Sequence, residues 1–144
     1  MESPKKNQFL SSFCNDQQLS HQSKHLLLEL YRCDEEKLND ESFLRCTLNN
    51  AAKIANATVL NLVSNKFEPQ GVTAIALLAE SHLSIHTWPE EQYSAVDIFT
   101  CGKNMKPDIA CKYLISSLMA EEHLLRVINR KTPLKVFNNV RKIN

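Results

Sequence analysis

Between Glu80 and Gly102 the chain collects a hydroxyl, two imidazoles, a thiol and several carboxylates. "ESHLSIHTWPE" runs from Glu80 to Glu90, and "AVDIFTCG" from Ala95 to Gly102. Three chemistries suit these residue types. His82, His86 and Cys101 are ligand types of a zinc site. On an extended strand, however, His82 and His86 lie ~13 Å apart at ~3.3 Å per residue, too far for one ion unless the strand breaks. Cys101 and His86 are also the partners of a thiolate–imidazolium nucleophile, but no nucleophile elbow or helix N-terminus accompanies Cys101. The third chemistry centres on Ser81, whose hydroxyl stands beside the carbonyl of Glu80. Each residue also has a structural reading. A strand histidine is commonly satisfied locally, a strand cysteine is commonly a small hydrophobe, Trp88 commonly packs, and Glu90 and Glu91 suit a solvated turn. Asp97 is harder to dismiss, because an ionised carboxylate on a covered face needs a partner.

Alternation and turn chemistry predict the elements that carry these groups. "KHLLLELYRC" (24–33) reads as a strand. Asn39 or Asp40 suits a helix cap, with Glu41 at the positive end of the dipole. Leu44, Leu48, Ala51 and Ala55 then form one helical face. "ATVLNLVSNKF" (57–67) reads as a β-branched strand, "EPQG" (68–71) as a turn, and "VTAIALLAE" (72–80) as the returning strand. In "SHLSIHTW", Leu83 and Ile85 point one way and His82, Ser84 and His86 the other. In "YSAVDIFTC" (93–101), Val96 and Ile98 oppose Asp97, Phe99 and Cys101. Pro107 opens a second helix with a stripe of Ile109, Tyr113, Leu114 and Leu118. "HLLRVINR" (123–130) is the last strand. The order is β-α-β-β-β-β-α-β. It predicts an α+β fold: a two-layer α/β sandwich, mostly antiparallel, with two helices on one sheet face and His86 and Cys101 on the other. A dimer would cover that second face.

The totals narrow the function classes. A chain of 144 residues suits one domain with a real core. Residues 1–22 read as a polar N-terminal tail, 23–130 as a single domain and 131–144 as a basic C-terminal tail. A formal net charge of +1 implies no bulk attraction to nucleic acid or to an anionic membrane. No apolar run suits a membrane span or a signal peptide, so the expected location is the cytoplasm. Five widely spaced cysteines argue against a disulfide framework and a zinc ribbon, and each is expected to be a small buried hydrophobe unless its neighbours say otherwise. No metal ion is expected.

The run E-S-H, then I-H-T-W-P-E, then F-T-C-G closely resembles the bacterial-type S-adenosylmethionine decarboxylase family, whose proenzymes cleave themselves. "HLLLELYRCD" and "FEPQGVT" resemble other segments of that family in the same order, and the resemblance spans about residues 24 to 130. It implies a cut between Glu80 and Ser81, giving chains 1–80 and 81–144. Ser81 Oγ would attack the Glu80 carbonyl and, after β-elimination and hydrolysis, Ser81 would become a covalent pyruvoyl group. That pyruvate-derived cofactor would form a Schiff base with S-adenosylmethionine and release carbon dioxide, yielding the aminopropyl donor for spermidine. The resemblance makes His86 the base of processing, since imidazoles ordinarily titrate near ~6.5. It makes Cys101 the proton donor of turnover, since thiols ordinarily keep their proton at neutral pH.

Thr73 stands where the family often has serine, and its hydroxyl would support processing. Phe67 and Trp88 are candidates to face the adenine and the sulfonium, and Glu90 to take the ribose hydroxyls. The expected partners are S-adenosylmethionine and a second copy of the cleaved unit, with neither nucleic acid nor membrane. One departure is Glu90-Glu91-Gln92 before Tyr93, where many relatives carry a glycine in the turn. Two alternatives stay open: a pyruvoyl-dependent arginine or ornithine decarboxylase, and an unprocessed regulatory subunit.

Overall fold

The computed structural model describes residues 22–131. It is an α+β sandwich with one six-stranded sheet. The strands are β1 (Gln22–Tyr31), β2 (Val59–Lys66), β3 (Val72–Leu78), β4 (Ser81–Trp88), β5 (Tyr93–Thr100) and β6 (Glu122–Lys131). The helices are α1 (Glu35–Leu38), α2 (Glu41–Ile54) and α3 (Pro107–Ser117). Spatial order is β2-β3-β4-β5-β1-β6, and every neighbouring pair is antiparallel. The chemistry-bearing strands β4 and β5 therefore sit in the middle of the sheet.

One sheet face is packed under helices. Leu26, Leu28 and Leu30 of β1, Leu83 and Ile85 of β4, and Val96 and Ile98 of β5 are all at most 1% exposed. They meet Leu44, Leu48 and Ala51 of α2 and Leu114 of α3 in a single core. Burying each leucine contributes about 1.5–3 kcal/mol. On β3 the inward residues Ala74 and Ala76 are small, and Ala51, Ala52 and Ala55 on α2 match them, so this helix can lie close to the sheet. The predicted α2 face is the buried one, and Asp40 is the cap, accepting from the Phe43 amide at 2.9 Å.

Five expectations change. A short third helix, α1, precedes α2; Asp34 caps it by accepting from the Lys37 amide at 2.9 Å. Asn39, the other candidate cap, instead accepts the Gly71 amide at 3.1 Å. In α3 the buried positions are Ala110, Cys111 and Leu114, while Ile109 is exposed, so the apolar stripe is rotated toward the smaller residues. Cys33 and Cys111 are buried as expected, but Cys46 and Cys101 are exposed. Strand β3 stops at Leu78, so Ala79 and Glu80 form a tight connection to β4 rather than the end of a strand. Cys14, the N-terminal tail to residue 21 and the basic tail from residue 132 lie outside the described residues. Among the described residues no helix is long and apolar enough to cross a membrane.

Candidate active site

Alternation sends His82, Ser84, His86 and Trp88 of β4, and Tyr93, Asp97 and Phe99 of β5, to the face away from the helices. Their in-between neighbours Leu83, Ile85, Val96 and Ile98 fill the core. The predicted site residues separate into two groups, one at each end of β4.

The first group lies where β4 begins and β5 ends. Glu80 is held at three points. Its main-chain carbonyl oxygen accepts the Cys101 amide at 3.1 Å, and its carboxylate accepts the Thr58 amide at 3.0 Å. The amide of Ala79, one residue earlier, donates to the Thr58 carbonyl at 2.9 Å. The Glu80–Ser81 bond thus stands at a tight turn, with its carbonyl already polarised by a backbone N–H. Ser81 pairs with Thr100 in the sheet register, which brings it beside Cys101. The Cys101 sulfur lies 3.2 Å from Ser23 Oγ, and Gly102 follows with φ of +90°, a left-handed turn that carries the chain off β5.

The second group lies at the far end of β4. Thr73 and His86 are direct cross-strand partners, and Thr73 Oγ1 is 2.9 Å from His86 Nδ1. The main-chain oxygen of His86 accepts the Ser94 hydroxyl at 3.1 Å, which fixes the backbone beneath the imidazole. These residues edge a cleft of about 340 Å³, lined also by Phe67, Gly71, Trp88 and Glu90. Gly71 is required here. Its φ is +98°, and a Cβ would meet the Thr87 carbonyl oxygen at 2.9 Å. The neighbouring Thr87 hydroxyl is buried, accepts the Val72 amide at 2.9 Å and donates to the Leu38 carbonyl at 2.7 Å, tying the cleft floor to α1.

Trp88 stacks on Tyr93 at 5.2 Å between centroids, and Tyr93 on Tyr31 at 5.5 Å, so a fixed aromatic row flanks the cleft. Tyr93 donates to the Glu29 carboxylate; burial and that carboxylate together push the phenol well above its ordinary range. Phe67 and Trp88 are 49% and 41% exposed, leaving their ring faces available to a ligand. Glu90 belongs to a short 3-10 turn, Pro89–Glu91, that ends with Gln92 at φ of +50°. The turn accommodates the missing glycine by placing Gln92 in the left-handed region.

The structure therefore joins Thr73, His86, Phe67, Trp88 and Glu90, and separately joins Glu80, Ser81 and Cys101. It does not join the two groups within one chain. Strand β4 is unbroken from Ser81 to Trp88, so five residues put Ser81 and His86 about 16 Å apart, and His82 and His86 stand about 13 Å apart. Ser23 beside the Cys101 thiol was not foreseen; only its place two residues before His25 on β1, across from the end of β5, carries that information. The partner that Asp97 was expected to need is His25, whose Nε2 is 3.2 Å from Asp97 Oδ2. That pairing depends on the β1–β5 register, which places His25 against Phe99.

Known proteins carry the same pattern. The family model described as S-adenosylmethionine decarboxylase matches residues 24–131. The chain is 58% identical over 118 residues to the S-adenosylmethionine decarboxylase proenzyme of Prochlorococcus marinus (strain MIT 9313), covering 82% of this chain and 94% of that one. It is 59% identical over 113 residues to the proenzyme of Synechococcus sp. (strain WH7803), covering 78% of this chain and 88% of that one. The crystal structure of the adenosylmethionine decarboxylase from Aquifex aeolicus VF5 superposes with a TM-score of 0.74 at 34% identity, over 86% of this chain and all of that one. By sequence and by fold, the chain belongs to the S-adenosylmethionine decarboxylase family.

Proposed function

We propose that this chain is a precursor that cuts itself between Glu80 and Ser81 and then decarboxylates S-adenosylmethionine, with each site shared between two copies. The observation that carries this reading is the split of the site residues between the two ends of β4. Ser81 and Cys101 stand at one end, and Thr73, His86 and the cleft stand about 16 Å away along β4. A second copy packed antiparallel on the open face brings the His86 end of one chain over the Ser81 end of the other. Such a two-fold arrangement completes two equivalent sites at once. Val63, Ile75, Leu77, Leu124 and Ile128 are exposed apolar residues on the same face, and their burial would favour the association.

In maturation, Ser81 Oγ adds to the Glu80 carbonyl carbon. The Cys101 amide, already donating to that oxygen, stabilises the charge that develops. The peptide nitrogen leaves as an amine, and an ester replaces the amide. His86 of the partner subunit, with Nδ1 fixed by the Thr73 hydroxyl, presents Nε2 to remove the Ser81 α-proton. The ester C–O bond breaks, and Glu80 leaves as a carboxylate. The dehydroalanine left behind tautomerises to an imine, and water releases its nitrogen as ammonia. Residue 81 is then a pyruvoyl group at the head of the 81–144 chain.

The mature pyruvoyl group supplies a carbonyl for the substrate amine and an electron sink when carbon dioxide departs. Cys101 returns a proton to the substrate α-carbon, with Ser23 orienting its thiol. Phe67 and Trp88 face the adenine and sulfonium, and Glu90 accepts from the ribose hydroxyls. The product is the aminopropyl donor for spermidine, and the setting is the cytoplasm. Residues 23–130 form the one catalytic domain, flanked by tails.

Intact-protein mass spectrometry of the full chain, paired with carbon dioxide release, tests this reading. Expected are two polypeptides, 1–80 and 81–144, the second with a blocked N-terminus, and release from S-adenosylmethionine but not from arginine or ornithine. A single uncut chain, or release only from a basic amino acid, would overturn it.

A further inference from the structure

A cluster in the middle of the open face belongs to neither group of site residues. His82 of β4 and His25 of β1 are both cross-strand partners of Phe99 on β5, so the three side chains occupy one rung across adjacent strands. Their rings converge. His25 and His82 have centroids 6.3 Å apart, and Phe99 lies 5.5 Å from the first and 5.7 Å from the second. Asp97, two residues back on β5 and on the same face, closes the group through its 3.2 Å contact with His25 Nε2. One nitrogen from each imidazole and one Asp97 oxygen all lie within 4.8 Å of one another, and each residue is partly buried.

We propose that His25, His82 and Asp97 bind one divalent transition-metal ion. The donor set decides the class of ion. Two imidazoles and one carboxylate suit Zn²⁺, Co²⁺, Ni²⁺ or Fe²⁺, whereas Mg²⁺ and Ca²⁺ prefer oxygen donors throughout. Bonds of about 2.1 Å put neighbouring ligand atoms about 3–3.4 Å apart. The His25–Asp97 contact already meets that spacing. The widest separation is at most 4.8 Å, so ligation needs it to close by no more than about 1.5 Å. Phe99 gives the site an apolar wall, which limits solvent access and strengthens ligation.

The third ligand explains a feature that a simple ion pair leaves aside. His25 and Asp97 satisfy one another, yet His82 leans toward them without a side-chain hydrogen bond of its own among the described residues. An ion accounts for that convergence of all three. Arg130 lies over the Phe99 ring at 5.3 Å, so one cation is nearby, and the Asp97 carboxylate is what offsets its repulsion of the metal. A three-ligand site also leaves positions open for water. It stands one residue from Ser81 on β4, and it pins the three strands that carry Ser81, Cys101 and Ser23.

The test is titration of the purified, metal-stripped full chain with Co²⁺, read by visible absorption, and with Zn²⁺, read by calorimetry. One ion per chain at micromolar or lower Kd is expected, with no comparable binding of Mg²⁺. His82→Gln and Asp97→Asn should each weaken binding at least tenfold, while His123→Gln, on the exposed β6, should leave it unchanged. Wild-type protein that binds no stoichiometric Co²⁺ or Zn²⁺ below 100 µM would overturn the site whatever the variants do. So would unchanged affinity in folded His82→Gln and Asp97→Asn, or equally tight Mg²⁺ binding.

Discussion

The two ends of β4 are built differently. At the Ser81 end, the reactive groups sit on chain turns and strand termini. Glu80 is in the β3–β4 connection, Cys101 directly follows β5, and Gly102 bends away at once. At the His86 end, the groups sit within paired strands. His86 is locked to Thr73 by its ring and to Ser94 by its backbone, and Trp88 is fixed in an aromatic row. On the proposed reading the first end breaks and rearranges, and it lies at a turn and at strand ends. On the same reading the second holds a base and a ligand surface in position, and it lies within paired strands.

The largest expected effect comes from removing the one atom that starts the reaction. Ser81→Ala should leave a single uncut chain on intact-mass analysis, and carbon dioxide release should fall to background. Neighbouring Ser84, three residues along β4 and buried, is about 10 Å further from the Glu80 carbonyl and cannot substitute. Cleavage persisting in Ser81→Ala would remove the distinction between the two ends.

The next effect tests whether the ends come from different copies. His86→Ala should slow self-cleavage by about 10²–10⁴-fold, the usual worth of a positioned general base. Cys101→Ala should still cleave but lose most turnover. Co-expressed, the two variants should regain activity. In a mixed dimer one of the two shared sites has both an intact Cys101 and an intact His86. With random pairing, about a quarter of wild-type release is expected. A site contained within one chain predicts no recovery, and that result would join the two ends into one.

The proposed function assigns substrate discrimination to the His86 end alone. Trp88→Ala should raise KM for S-adenosylmethionine about tenfold, since stacking on a base contributes about 1–3 kcal/mol. Self-cleavage should proceed at the wild-type rate, because the Thr73–His86 contact does not depend on the indole. A fall in cleavage with unchanged KM would mean that Trp88 supports the base rather than the ligand.

How far the sequence reached follows the same contrast. Period-2 alternation made the faces of β4 and β5 legible, because Leu83, Ile85, Val96 and Ile98 line one face and His82, His86, Asp97 and Phe99 the other. The α2 face was legible for the same reason at helical period. Turn placement at Glu80 was not, because "LLAESHL" contains no glycine or proline to mark a reversal; the turn is set by the straps from Thr58 and Cys101, which are distant in sequence. The pairing of His25 with Asp97 was half legible. Asp97 announced a need for a partner, but only the β1–β5 register names it. The separation of Ser81 from His86 was legible as arithmetic along a strand, since the same spacing already argued against a zinc site at His82 and His86.

The smallest expected effect tests the covered face through its thiols. Cys33 and Cys111 lie in the core, and burial pushes both up to about 11, with Asp108 adding to the effect at Cys111. An acid whose folded pKa is raised keeps its proton in the folded state while the unfolded chain loses it. Between the ordinary thiol value of 9.0 and about 11, the unfolded state therefore binds fewer protons, and stability falls as pH rises through that window. Below about 9 the contribution is fully present. Urea midpoints measured from pH 8 to 11 should decline for the wild-type chain, and more shallowly for Cys33→Ala/Cys111→Ala at equal starting fold content. An unchanged slope in the double variant would mean that the core thiols do not carry this dependence, and that the covered face is less dry than its burial indicates.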